Sequence, residues 1–181
     1  MREELGELKV MFTAEQIAAR VRELARRISE DYRGLTVYAV CVLENGFMFM
    51  ADLVRALELQ VVCQFVKPQR RETEHGAEIF YSPEAKVKGQ HVLLVEGIVN
   101  SGITQEFLIR NFTARGALSV KLAALLDKQA DRRVALQADY WGYALEDSYV
   151  LGYGLGLGSL PLGRNLPYVA SSAHASARAT E

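Results

Sequence analysis

Residues 96–104 read Glu-Gly-Ile-Val-Asn-Ser-Gly-Ile-Thr and gather the side chains best suited to chemistry. They offer one carboxylate (Glu96), one amide (Asn100) and two hydroxyls (Ser101, Thr104) around Gly102. Hydroxyls and free backbone N–H groups at the start of a helix suit a phosphate, because the helix dipole favours an anion there. Ile103 would contribute its N–H, and Gly102 would let the backbone come close. A metal-assisted site would want further acids, and Gly97 and Asn100 stand where they would be expected. The same spacing also fits a plain strand followed by a capped helix.

That segment is placed by its neighbours. HVLLV (91–95) reads as a buried strand, and residues 103–115 as a helix closed by Gly116. Upstream, Thr13 and Gln16 form a capping box before the apolar stripe Ile17, Val21, Leu24 and Ile28. The opposite face, with Arg20, Glu23, Arg27 and Glu30, reads as solvated. TVYAVCVL (36–43) reads as a buried strand, 47–59 as a helix and 60–66 as a second strand.

KPQRRETEHG (67–76) is polar, has no apolar period and reads as a mobile loop or lid, with His75 a solvated histidine. Short strands are expected at 77–82, 119–128, 138–145 and 148–155. Strands alternating with helices predict an α/β fold: a central, mostly parallel sheet flanked by helices on both faces. The glycines of 152–163 match no G-x-G-x-x-G register and read as turn glycines.

With 181 residues, 50% hydrophobic and 24% charged, the chain suits one globular domain over 1–170. Residues 171–181 read as a flexible Ala/Ser-rich tail. A net charge of −1 gives no general attraction for nucleic acid. No apolar run nears the roughly 20 residues of a membrane span, and the N-terminus lacks the apolar core of a signal peptide. Cys41 and Cys63 lie in apolar runs and read as buried free thiols, so a cytoplasmic location is expected.

VEGIVNSGIT (95–104) resembles the phosphoribosyl-diphosphate motif of the hypoxanthine-guanine phosphoribosyltransferases, of the type I phosphoribosyltransferase fold. The resemblance runs from about Phe12 to Tyr168 and includes FTAEQI, VRELARRISEDYRG, FMFMADLVRA, LLDK (125–128), residues 149–155 and RNLPY (164–168). It implies a purine phosphoribosyltransferase of purine salvage that uses magnesium, acts as a homodimer or homotetramer, and has a small hood built from both ends of the chain. By matched position, Ser101, Gly102, Ile103 and Thr104 would hold the 5′-phosphate. Glu96 would face the ribose hydroxyls and any magnesium. Lys128 would donate to the purine 6-oxo group, Tyr149 would stack on the base, and the Val150 backbone would read the purine edge. Glu44, Asn45 and Arg164 would border the pyrophosphate.

The departures from the family pattern fall on the chemistry. Gly97 replaces the second acid of a ribose-binding pair, and Asn100 the aspartate that serves as base. Leu43-Glu44-Asn45-Gly46 replaces Leu-Lys-Gly-Ala, setting a carboxylate against a polyanion. The lid lacks a Ser-Tyr pair, and Gly156 replaces an aspartate near magnesium. These changes predict a purine nucleotide-binding relative with weak or absent transferase activity and weak or absent magnesium. An active hypoxanthine/guanine transferase and a non-catalytic subunit of a phosphoribosyltransferase oligomer are the alternatives. On the sequence alone, Gly97→Asp and Asn100→Asp with Glu44→Lys should raise activity, with Asn100→Asp alone helping least.

Overall fold

A computed structural model describes residues 7–73, 76–80, 85–146, 149–156 and 162–172. In chain order the elements are β1 (Leu8–Phe12), α1 (Ala14–Asp31), β2 (Thr36–Val42), α2 (Phe47–Ala56), β3 (Gln60–Val66), β4 (Gln69–Thr73) and β5 (Gly76–Phe80). There follow β6 (His91–Val99), α3 (Ile103–Ala114), β7 (Ser119–Asp127), β8 (Tyr140–Ala144), β9 (Val150–Leu151) and β10 (Val169–Ser172).

Five strands form one sheet in the order β3-β2-β6-β7-β8, every pair parallel. The chain leaves β2 to one side for β3, then crosses to the other side for β6. The switch point therefore lies between the C-terminal ends of β2 and β6, where open α/β sheets bind ligands.

Alternation along β6 builds both layers. Leu93 and Val95 pack with Ile17, Leu24, Phe49 and Leu53 of α1 and α2, while Val92 and Leu94 pack with Leu108 and Phe112 of α3. The capping box forms as expected: the Thr13 N–H donates to Gln16 Oε1 at 2.8 Å, and the Gln16 N–H donates to Thr13 Oγ1 at 3.3 Å. No described helix is long and apolar enough to cross a membrane.

The hood is a three-stranded antiparallel sheet, β1-β10-β9, joining the two ends of the chain. Ser171 pairs with Lys9 and Ser172 with Leu8, so these two serines belong to the hood and not to a tail. Residues 173–181 lie outside the described residues. Gly152, Gly154 and Gly163 have positive φ, as turn glycines do.

Three expectations are corrected. The stretch 67–76, expected as a mobile loop or lid, contains a strand: β4 pairs with β5 as an antiparallel hairpin, with Gln69 opposite Phe80 and Thr73 opposite Gly76. Backbone pairing needs no apolar period, so a polar run concealed it; His75 lies outside the described residues. Cys63 is exposed, unlike Cys41, because β3 is the outer strand of the central sheet. Finally, β6 does not stop at Val95 but continues through Glu96 and Gly97 to Val99, paired to Ala124, Leu126 and Asp127 of β7.

Candidate functional site

The true turn is short: Asn100, Ser101 and Gly102 between β6 and α3. Gly102 is the N-cap of α3 at φ 79°, a left-handed conformation that favours glycine, and no side chain caps this helix end. The first helical N–H groups are thus left to a ligand or to water, apart from a long 3.5 Å bond from the Ile103 N–H to Ser101 Oγ. The turn is tied to the segment after β7, where the Lys128 N–H donates to Val99 O and the Arg133 N–H to Ser101 O, both at 2.9 Å.

Asn100, Ser101 and Ile103 line a cleft of about 650 Å³ together with Asp131, Arg132, Arg133 and Tyr149. Two segments nearly fifty residues apart, one from the sheet and one from the hood, therefore face the same space. Tyr149 is 44% exposed, and the Lys128 ammonium lies 5.3 Å from its ring centroid. Lys128 is buried and pairs with Asp131 at 2.9 Å. Val150 is buried in β9, the outer hood strand, opposite Ser171.

Glu96 does not stand open to a ribose. It is 3% exposed, takes a 2.8 Å hydrogen bond from Gln105 Nε2 and a 3.2 Å bond from the Gly97 N–H. It therefore ties β6 to the first turn of α3 from inside. Burial pushes its carboxyl up to about 8, against the opposing pull of those two donors. Between the ordinary value of 4.5 and about 8, the folded chain holds a proton that the unfolded chain has released. This contribution to stability is fully present below 4.5 and is lost as pH rises through about 8. Glu96→Gln is uncharged at every pH and should flatten the profile. Its melting temperature should gain on that of the unmodified chain from about pH 5 to pH 9, and parallel curves would show an ionised Glu96 in the folded state.

Gly97 is more than a lost acid. A Cβ there would lie 2.2 Å from the Asn45 carbonyl oxygen and 3.0 Å from Leu155 Cδ2, so the 43–46 loop fills its space. Gly156 is similarly filled: a Cβ would meet the Arg164 guanidinium at 2.9 Å. Arg164 donates to Asn45 Oδ1 at 2.8 Å and Gly154 O at 2.5 Å, and lies 3.5 Å from Glu44 Oε2.

Glu44 does not present a bare charge either. Lys67 Nζ sits 2.8 Å from its other oxygen, and Lys67 followed by Arg164 holds its carboxyl below the ordinary range. Its exposed charge is thus largely offset by two cations.

No described cluster of three or more His, Cys, Asp or Glu side chains could hold a metal. Magnesium prefers one or two carboxylates with phosphate oxygens. Near the cleft, Glu96 is enclosed, Glu44 and Asp131 are paired with lysines, and Asp127 is paired with Arg132.

Sequence spacing missed four participants: Lys67, Gln105, Asp127 and Arg132. Each acts through a partner from another segment. A weak local signal existed for two of them, since Asp127 and Arg132 flank Lys128 in a charged run.

A parallel sheet with an uncapped helix start at its switch point and a hood across the cleft defines an α/β fold whose ligand-binding edge is open to an anion. Residues 11–155 match the phosphoribosyl transferase domain model. The chain is 33% identical to a hypoxanthine-guanine phosphoribosyltransferase of Bacillus subtilis, over 89% of this chain and 91% of that protein. It is 36% identical to the bifunctional protein TilS/HprT of Listeria innocua, over 89% of this chain but only 25% of that longer protein. A crystal structure of a hypoxanthine-guanine phosphoribosyltransferase from Bacillus anthracis superposes with a TM-score of 0.83 at 32% identity, covering 91% of this chain and 98% of that one. The chain belongs to the hypoxanthine-guanine phosphoribosyltransferase family.

Proposed function

We propose that this family member binds a purine nucleoside monophosphate in the cleft between the 100–104 turn and Tyr149, and that it transfers phosphoribosyl groups slowly. The observation that carries this reading is an open phosphate turn beside an exposed Asn100. The turn offers uncapped N–H groups to a 5′-phosphate, whereas an amide cannot accept a proton at neutral pH. Tyr149 lines that cleft and Lys128 lies 5.3 Å from its ring centroid, which supports a stacking surface in the first and a donor to a 6-oxo group in the second.

Pyrophosphate has less to hold it. Arg164, the candidate there, has Nη1 engaged by Asn45 and Gly154, Nη2 beside Glu44, and Nε enclosed. Guanylate or inosinate should therefore bind more tightly than phosphoribosyl diphosphate in calorimetry at one fixed magnesium concentration. Tighter, magnesium-dependent binding of the diphosphate would contradict the proposal.

A second reading, a working hypoxanthine/guanine transferase, is favoured by the pairing of Glu44 with Lys67 and Arg164, which removes much of the repulsion expected from its charge. Turnover separates the two readings.

A further inference from the structure

The 43–46 loop follows β2 as the 100–102 turn follows β6, so the two border the switch point of the sheet from its two sides. Lys67 stands directly after β3, the neighbour of β2, and Arg164 comes from the segment between β9 and β10. Three separate parts of the chain therefore bring charge to one point at the ligand-binding edge.

That point is the Glu44 carboxylate. Lys67 Nζ lies 2.8 Å from Oε1 and Arg164 Nη2 3.5 Å from Oε2, so each oxygen has its own cation. Arg164 is aimed there by its other nitrogen, since Nη1 donates to Asn45 Oδ1 and Gly154 O. Glu44 also stands two residues before Gly46, the N-cap of α2, where no side chain caps the helix. The positive end of that helix favours an anion as well. The Lys67 and Glu44 side chains are 56% and 50% exposed, and exposed ion pairs contribute little to stability. The arrangement is a weak prop for the fold. As chemistry it is an anion seat, two cations of different origin on one carboxylate, that the chain fills itself.

We propose that Glu44 is an internal anion: its carboxylate occupies the seat between Lys67 and Arg164 that an external pyrophosphate would otherwise take. The pairing lifts the repulsion expected of a bare carboxylate, but it does so by using up the cations. Glu44 thus sets specificity, excluding a diphosphate while the 100–104 turn stays open to a monophosphate. This inference rests on the proposed function and deepens it. Occupancy and simple repulsion differ in what they require of Lys67. Removing an occupant helps only where cations remain to be freed, whereas repulsion is relieved with or without the lysine.

Calorimetry with inorganic pyrophosphate and with guanylate, both without magnesium, tests it. The proteins are the unmodified chain, Glu44→Ala, Lys67→Met and the double variant, with folding checked by thermal melting. Glu44→Ala should bind pyrophosphate about tenfold or more tightly than the unmodified chain, the worth of charge-assisted bonds to freed cations. Adding Lys67→Met should remove most of that gain, whereas Lys67→Met alone should change pyrophosphate affinity by less than about threefold. Glu44→Gln keeps an occupant in the seat and should gain less; it replaces alanine in the cycle if that variant does not fold. Guanylate, which does not need that seat, should gain less than about threefold from Glu44→Ala. A Glu44→Ala chain that binds pyrophosphate no better would overturn the proposal, as would an equal gain for guanylate. A gain that survives Lys67→Met, or a large loss from Lys67→Met alone, would overturn it too, the first by showing simple repulsion and the second a lysine already free. Guanylate binding by the unmodified chain reports separately on the functional reading. Its absence would remove that reading and this inference together, whereas a missing pyrophosphate gain beside intact guanylate binding removes this inference alone.

Discussion

Asn100→Asp is expected to raise kcat for guanine or hypoxanthine by about 10²–10⁴, the usual contribution of one positioned general base. Asn100 follows directly on Val99, the last residue of β6, and its side chain is exposed in the cleft. A carboxylate has the shape of the amide it replaces, so the change adds no steric demand. The sequence ranks this substitution last because Glu44 would oppose the diphosphate first. The structure reorders that ranking, since Lys67 and Arg164 already offset Glu44. A base acts in the transition state, so kcat and kcat/KM should rise together. A rise of less than about threefold would mean that the missing base does not limit the reaction.

Gly97→Asp is expected to harm the protein and not to rescue it. A side chain at 97 must displace the Asn45 carbonyl, which lies 2.2 Å from where the Cβ would sit. The loop cannot move freely, because Asn45 also accepts from Arg164. Overpacking of this kind typically costs about 1–3 kcal/mol, or a fall of several degrees in melting temperature for a domain of this size. Gly97→Ala should show most of the same loss, since the clash begins at Cβ. Added to Asn100→Asp, the aspartate at 97 should lower activity below that of the single variant. A Gly97→Asp protein that melts with the unmodified chain would show that the loop yields readily.

The central sheet was legible because its strands are continuous apolar runs and its helices carry an apolar stripe. The Thr13 capping box marked the start of α1 to the residue. The hood was legible only through the family resemblance: β1 and β10 lie more than 150 residues apart, and nothing local in either announces its partner. Ser101 and Gly102 were legible as the turn that opens α3 because the relevant signal is local, in the backbone and the left-handed glycine.

Glu96 was misplaced for the opposite reason. Its surroundings depend on Gln105 and on β6 running on beside β7, both tertiary facts. The same holds for Glu44, whose charge looked hostile to a polyanion until Lys67 and Arg164 were seen against it. Gly97 and Gly156 read as deletions of function in sequence; in space each is filled, by the Asn45 backbone and by Arg164.

The claim at the centre is that a phosphate site persists here without a catalytic base. Steady-state turnover of the unmodified chain measures it most directly, with guanine and phosphoribosyl diphosphate, in a preparation shown free of host transferase. The expected kcat lies at least a hundredfold below the common enzyme value of about 10 s⁻¹. A turnover near that value would contradict the claim and establish the chain as a working transferase that does without the aspartate at position 100.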